Sequence, residues 1–143
     1  ILNPGDEPFC VKLKRFIKTG YIFDWDNWKN KLRKHTKGDM TFLEAYKLTG
    51  KIFNVTAISN KHEPILLNYK TVPHVTIWSA TIASASLPLF MKPSPLIMKD
   101  KNGQLIEFTE YGKLWSDGSI SFDVPTERLL EDFNVKFTIA IQC

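Results

Sequence analysis

The residues of this 143-residue chain best placed to do chemistry stand in Trp115-Ser116-Asp117-Gly118-Ser119-Ile120, followed by Asp123-Val124-Pro125. A carboxylate is one of the side chains that can act as a general base. Each aspartate also has a structural reading. Asp-Gly is a preferred turn pair, which makes Asp117-Gly118 a hairpin turn on local pattern. Asp123 lies just ahead of a proline-led helical segment and suits a helix cap. Local pattern alone gives neither a catalytic role.

Other chemistries find less support. His35, His62 and His74 are scattered and none has a second ligand at metal-binding spacing, so no metal is expected. The seven glycines stand singly, which leaves no Gly-rich phosphate loop, and no cofactor is expected. No serine sits in G-x-S-x-G, the strained turn that exposes a nucleophilic hydroxyl.

The elements that must position Asp117 can be read from periodicity. Phe9–Ile17 is short and amphipathic, and Gly20 ends it. Residues 24–37 place Trp25, Trp28 and Leu32 at spacings of three and four on an otherwise basic helix, stopped by Gly38. Thr41-Phe42-Leu43-Glu44 is a capping-box pattern opening a helix from Phe42 to Leu48. The period then becomes strand-like over 52–58, and a second strand at 64–69 follows a turn. Residues 76–85 are mostly small, punctuated by Ile77, Trp78 and Ile82, which suits a helix packed closely on a sheet. Asn102-Gly103 marks a hairpin between two strands in 97–106. A short strand at Leu114-Trp115, a helix over 125–133 and an apolar strand over 135–141 complete the reading. Helices alternating with strands argue an α/β domain with helices covering the sheet.

Three of these stretches together resemble the C-terminal half of the patatin-like acyl hydrolase domain. They are Thr41–Gly50 with the strand after it; Leu67-Asn68-Tyr69 with Ile77-Trp78-Ser79-Ala80-Thr81-Ile82-Ala83-Ser84-Ala85-Ser86-Leu87-Pro88-Leu89-Phe90; and Leu114–Ile120 with Asp123-Val124-Pro125 and the closing strand. The wording is most similar to the branch of patatin-type triacylglycerol lipases. The resemblance covers residues 22–143 and leaves 1–21 unassigned. It implies a three-layer α/β sheet flanked by helices, incomplete in these residues, as the C-terminal part of a single domain. It also implies a serine–aspartate dyad in which Asp117 is the aspartate and Gly118 forms the turn beside the site. Asp117 would deprotonate the serine directly or through water, an acyl-enzyme would form, and water would release it. Leu114, Trp115 and Ile120 are the apolar setting such a base needs.

The family's serine elbow and Gly-rich oxyanion loop precede the aspartate, and neither occurs here. The expectation is therefore a lipid acyl hydrolase whose nucleophile lies upstream, with residues 1–143 inactive alone. The alternative is an inactive lipid-surface or protein-interaction module on the same scaffold.

Charge bears on partners. The net +4 divides into +6 over residues 1–70 and −2 over 71–143. The basic half is expected to be a solvated helix face, with peripheral contact to an anionic membrane or lipid-droplet surface as the functional counterpart. The helix of 24–37, with Trp25 and Trp28 beside it, could make that contact, but a stripe that anchors the helix to the core is the favoured reading. Nucleic acid is not expected, since no stacking motif or helix-turn-helix accompanies the charge. Cys10 and Cys143 form no disulfide framework, which favours a reducing, intracellular location, cytoplasmic or peripheral to a membrane. The Ser- and Thr-rich stretch 75–91 is broken by Pro88 and falls short of a membrane span.

Overall fold

A computed structural model of the chain describes residues 8–22, 25–60, 64–87, 90–118 and 124–141. Helices α1 (Phe9–Thr19), α2 (Trp25–His35) and α3 (Phe42–Thr49) come first. Strands β1 (Val55–Ser59) and β2 (Ile65–Leu67) lead into α4 (Ile77–Ser84). Strands β3 (Leu96–Lys99), β4 (Leu105–Phe108) and β5 (Trp115–Asp117) then precede α5 (Thr126–Phe133). The class is mixed α/β, with antiparallel strand pairing in both sheets.

β1 is the middle strand of the sheet β2-β1-β5. It pairs Ala57 with Ile65 on one side and with Asp117 on the other. β3 and β4 form the expected hairpin about Asn102-Gly103, Leu96 opposite Phe108 and Lys99 opposite Leu105. Asp100 closes its turn by accepting the N–H groups of Asn102 and Gln104 at its Oδ1, at 2.8 and 2.7 Å.

α4 holds these parts together. Small residues let it approach β1 and β5, and Ser79, Ala80 and Ala83 are fully buried. Its Ala80 and Ala83 join Phe42, Ala57, Leu67, Leu96, Phe108 and Trp115 in the main core. Its other side sends Trp78 and Ile82 into a second cluster with Leu32 and Met91, and Trp28 packs against that cluster. A helix buried on both sides needs its polar groups satisfied internally. Ser79 does this with Thr76: the Thr76 hydroxyl donates to Ser79 Oγ at 2.9 Å, and Ile97 N–H donates to the same oxygen at 3.0 Å.

α3 opens with the predicted capping box. Glu44 N–H donates to Thr41 Oγ1 at 3.2 Å, and Thr41 N–H donates to Glu44 Oε2 at 2.8 Å. Lys99 on β3 reaches Glu44 Oε1 at 2.8 Å, tying the cap to the hairpin. Gly50 ends α3 at φ 67°, and α2 ends before Lys37 and Gly38, both left-handed.

Two expectations need correction. The strand placed over 52–58 begins only at Val55, where β2 supplies its first partner opposite Leu67. None of the described strands lies beside residues 52–54, although Phe53 stacks on Phe42 with ring centroids 6.1 Å apart. The strand placed over 135–141 is not a strand: the run pairs with none of the described strands, and Phe137, Ile139 and Ile141 are 92, 90 and 87% exposed. Leu32 and Trp28 of α2 pack inward, in line with the core-anchoring stripe expected of this helix.

Candidate active site

Asp117 is the last residue of β5 and is buried, with 8% of its surface exposed. Backbone fixes it on two sides. Across the sheet it lies opposite Ala57. On the other side its N–H donates to the carbonyl oxygen of Ser86 at 3.3 Å. Ser86 follows Ala85, the cap of α4, and is itself held, its hydroxyl donating to Ile82 O at 2.7 Å. The carboxylate-bearing residue is thus wedged between the central strand and the C-terminal end of the buried helix.

The rest of β5 is equally fixed. Trp115 is fully buried, and its indole N–H donates to Gly112 O at 3.3 Å. Its backbone exchanges two hydrogen bonds of 2.9 Å with Ser94, which covers the strand edge facing away from β1. A short strand bonded along both edges is a rigid support for a reacting group.

Gly118 is buried beside this strand. A Cβ built on it would lie 2.8 Å from Ala57 N and 3.0 Å from both Ala57 Cα and Thr56 C. The obstacle is backbone, which cannot swing aside as a side-chain tip can. Glycine is therefore required here by close approach to β1. This adds to the turn expected from the Asp-Gly pair, since the reason for the glycine lies in a distant strand.

A cavity of about 280 Å³ adjoins this region. It is lined by Thr19, Gly20, Tyr21, Ser86, Met91, Pro93 and Ser116, and so touches both the residue before Asp117 and the residue that holds its N–H. A larger cavity of about 530 Å³ follows Val124–Glu131 at the start of α5 and does not include Asp117.

Asp123, Ser119 and Ile120 lie outside the described residues, as do His62 and Cys143. His35 closes α2, and His74 contributes its carbonyl oxygen to Lys99 N–H at 3.0 Å. Among the described residues no group of three or more His, Cys, Asp or Glu side chains could hold a metal ion, and no helix is long and apolar enough to cross a membrane. Sequence reasoning missed Ser86 and Ser94 as supports of β5. Both act through backbone atoms, which residue type does not reveal.

The family model for the patatin-like phospholipase matches residues 5–130. A patatin-like phospholipase domain-containing protein of Chaetomium globosum is 43% identical over 138 residues, covering 95% of this chain and 16% of that protein. One of Yarrowia lipolytica is 41% identical over the same length, with 95 and 17% covered. One of Aspergillus terreus is 41% identical, with 95 and 19% covered. The chain thus spans less than a fifth of the length of these relatives.

Proposed function

Because the chain belongs to the patatin-like phospholipase family, we propose that its protein hydrolyses acyl esters of glycerol lipids, phospholipid or triacylglycerol, with Asp117 as the base of a serine–aspartate dyad. The serine is supplied from outside residues 1–143, where a G-x-S-x-G elbow belongs in the family's order. Asp117 takes the proton of the serine hydroxyl, directly or through one water, as that oxygen attacks the ester carbonyl. The alcohol leaves with a proton and an acyl-enzyme remains. Water, activated by the same carboxylate, then releases the fatty acid. No metal or cofactor enters this scheme. The work is done at an intracellular membrane or lipid-droplet surface, where such substrates reside.

The observation that supports this reading is the way Asp117 is held. A general base must keep its geometry to within a fraction of an ångström, and that demands rigid support. Asp117 has it from β1, from Ser86 and from the bonded edges of β5. Gly118 brings the chain against β1 where any side chain would collide. Substituting Asp117→Asn in the full-length protein tests the assignment: the side chain keeps its size and loses its basicity. Lipid ester hydrolysis should fall about 10²- to 10⁴-fold, whereas an unchanged rate would remove Asp117 from the mechanism.

A further inference from the structure

We propose that α1 is a docking helix for an anionic bilayer, with Phe9, Leu13 and Ile17 entering the acyl region and Lys14 and Lys18 meeting the phosphate head groups. This deepens the proposed function, resting on its placement of the protein at a lipid surface.

The argument begins with the orientation of the helix. Phe9, Leu13, Phe16 and Ile17 follow the three- and four-residue spacing that gathers side chains on one helix face. On an ordinary surface helix that face is turned to the core. Here Phe9 is 78% exposed and Ile17 77%, Leu13 and Phe16 are also exposed, and no residue of α1 is buried. The side chains that are partly covered are Lys12 and Arg15, and the Arg15 guanidinium donates to Ile22 O at 3.1 Å. α1 therefore leans on the molecule with basic residues and presents its apolar residues outward.

α2 shows that this is not a general habit of the basic half. It is equally rich in lysine and arginine, yet its Leu32 is buried against Trp78, Ile82 and Met91. One basic amphipathic helix uses its stripe for the core, and the other leaves its stripe free.

Charge decides which occupant suits α1. Its eleven residues include Lys12, Lys14, Arg15 and Lys18 and no acidic residue. An apolar face flanked by cations matches a surface that offers hydrocarbon beneath negative head groups. A protein partner would need an apolar groove ringed by carboxylates, whereas an anionic bilayer supplies both features anywhere on its surface. At 1.5 Å per residue the helix is about 16 Å long, too short to span a bilayer and suited to lie in its interface.

The test is co-sedimentation of the full-length protein with phosphatidylcholine vesicles, plain or containing about one-third phosphatidylserine. Wild type should bind the anionic vesicles and bind less as salt is raised. Phe9→Ser/Ile17→Ser and Lys14→Glu/Lys18→Glu should each bind about tenfold more weakly, with thermal midpoints unchanged because all four positions are exposed. Wild-type affinity in both variants would overturn the proposal. So would a wild type that ignores vesicles while the apolar variant melts several degrees lower, since that face would then be covered by protein. Hydrolysis of a soluble short-chain ester separates this proposal from the enzymatic one. Its absence in wild type together with intact α1-dependent vesicle binding would retire the hydrolase reading and leave the docking helix standing.

Discussion

Asp117 and Gly118 are adjacent residues with different structural debts. Asp117 is held by Ser86 from the end of α4, while Gly118 is limited by the backbone of Thr56 and Ala57. Gly118→Ala should force β1 and β5 apart and cost about 1–3 kcal/mol, the usual price of overpacking. A urea titration of the 143-residue chain measures it, and unchanged stability would mean the contact relaxes freely. The Asp-Gly pair suggests a turn from neighbours in sequence, and a catalytic position from the family resemblance. The steric need for glycine was not legible, because it is set by a strand that enters the sheet from far earlier in the chain. The same holds for Ser94, which pairs with Trp115 through backbone atoms that every residue type carries.

At the scale of elements, local chemistry explains what was readable. The box of Thr41 and Glu44 is written in four consecutive residues, and α3 starts where it says. Thr41→Ala removes the cap and should cost about 1 kcal/mol, read as a lowered urea midpoint with an unchanged slope. Glu44 adds a pH dependence. Partial burial is the largest single influence on its carboxyl and raises its pKa, but hydrogen bonds from Lys99 and the Thr41 N–H, with the Lys99 charge, outweigh it and leave the pKa below the ordinary value of 4.5. A carboxylate with a depressed folded pKa stabilises the fold above 4.5 and loses that contribution as pH falls through its folded value. Wild type should therefore lose more thermal stability than Glu44→Gln between pH 5 and strongly acidic solution. The effect should be small and weakened by salt, because the Lys99–Glu44 pair is partly open to water. α4 was legible too, since small residues at close spacing announce a helix pressed against a sheet. Residues 135–141 were misread for a physical reason: alternating apolar residues make a strand only when another strand is present to bond them.

Over the described residues, the packed part is organised around α4, and the outward face of α1 and the run from Val135 to Ile141 lie outside it. Exposed apolar runs promote self-association. Phe137→Lys/Ile139→Lys should lower the concentration-dependent association of the 143-residue chain, measured by sedimentation velocity, without lowering its thermal midpoint, because neither side chain is covered. The catalytic reading also belongs to this scale, since it joins a carboxylate held here to a serine elsewhere in the protein. Its most direct test is covalent labelling of full-length protein with a fluorophosphonate, whose phosphorus is attacked by an activated serine oxygen with loss of fluoride. Wild type should label. Asp117→Asn, folded to the same thermal midpoint, should label at least a hundredfold more slowly, in line with the loss of a general base. Equal labelling rates in the two proteins would contradict the assignment of Asp117 as the base that activates the nucleophile.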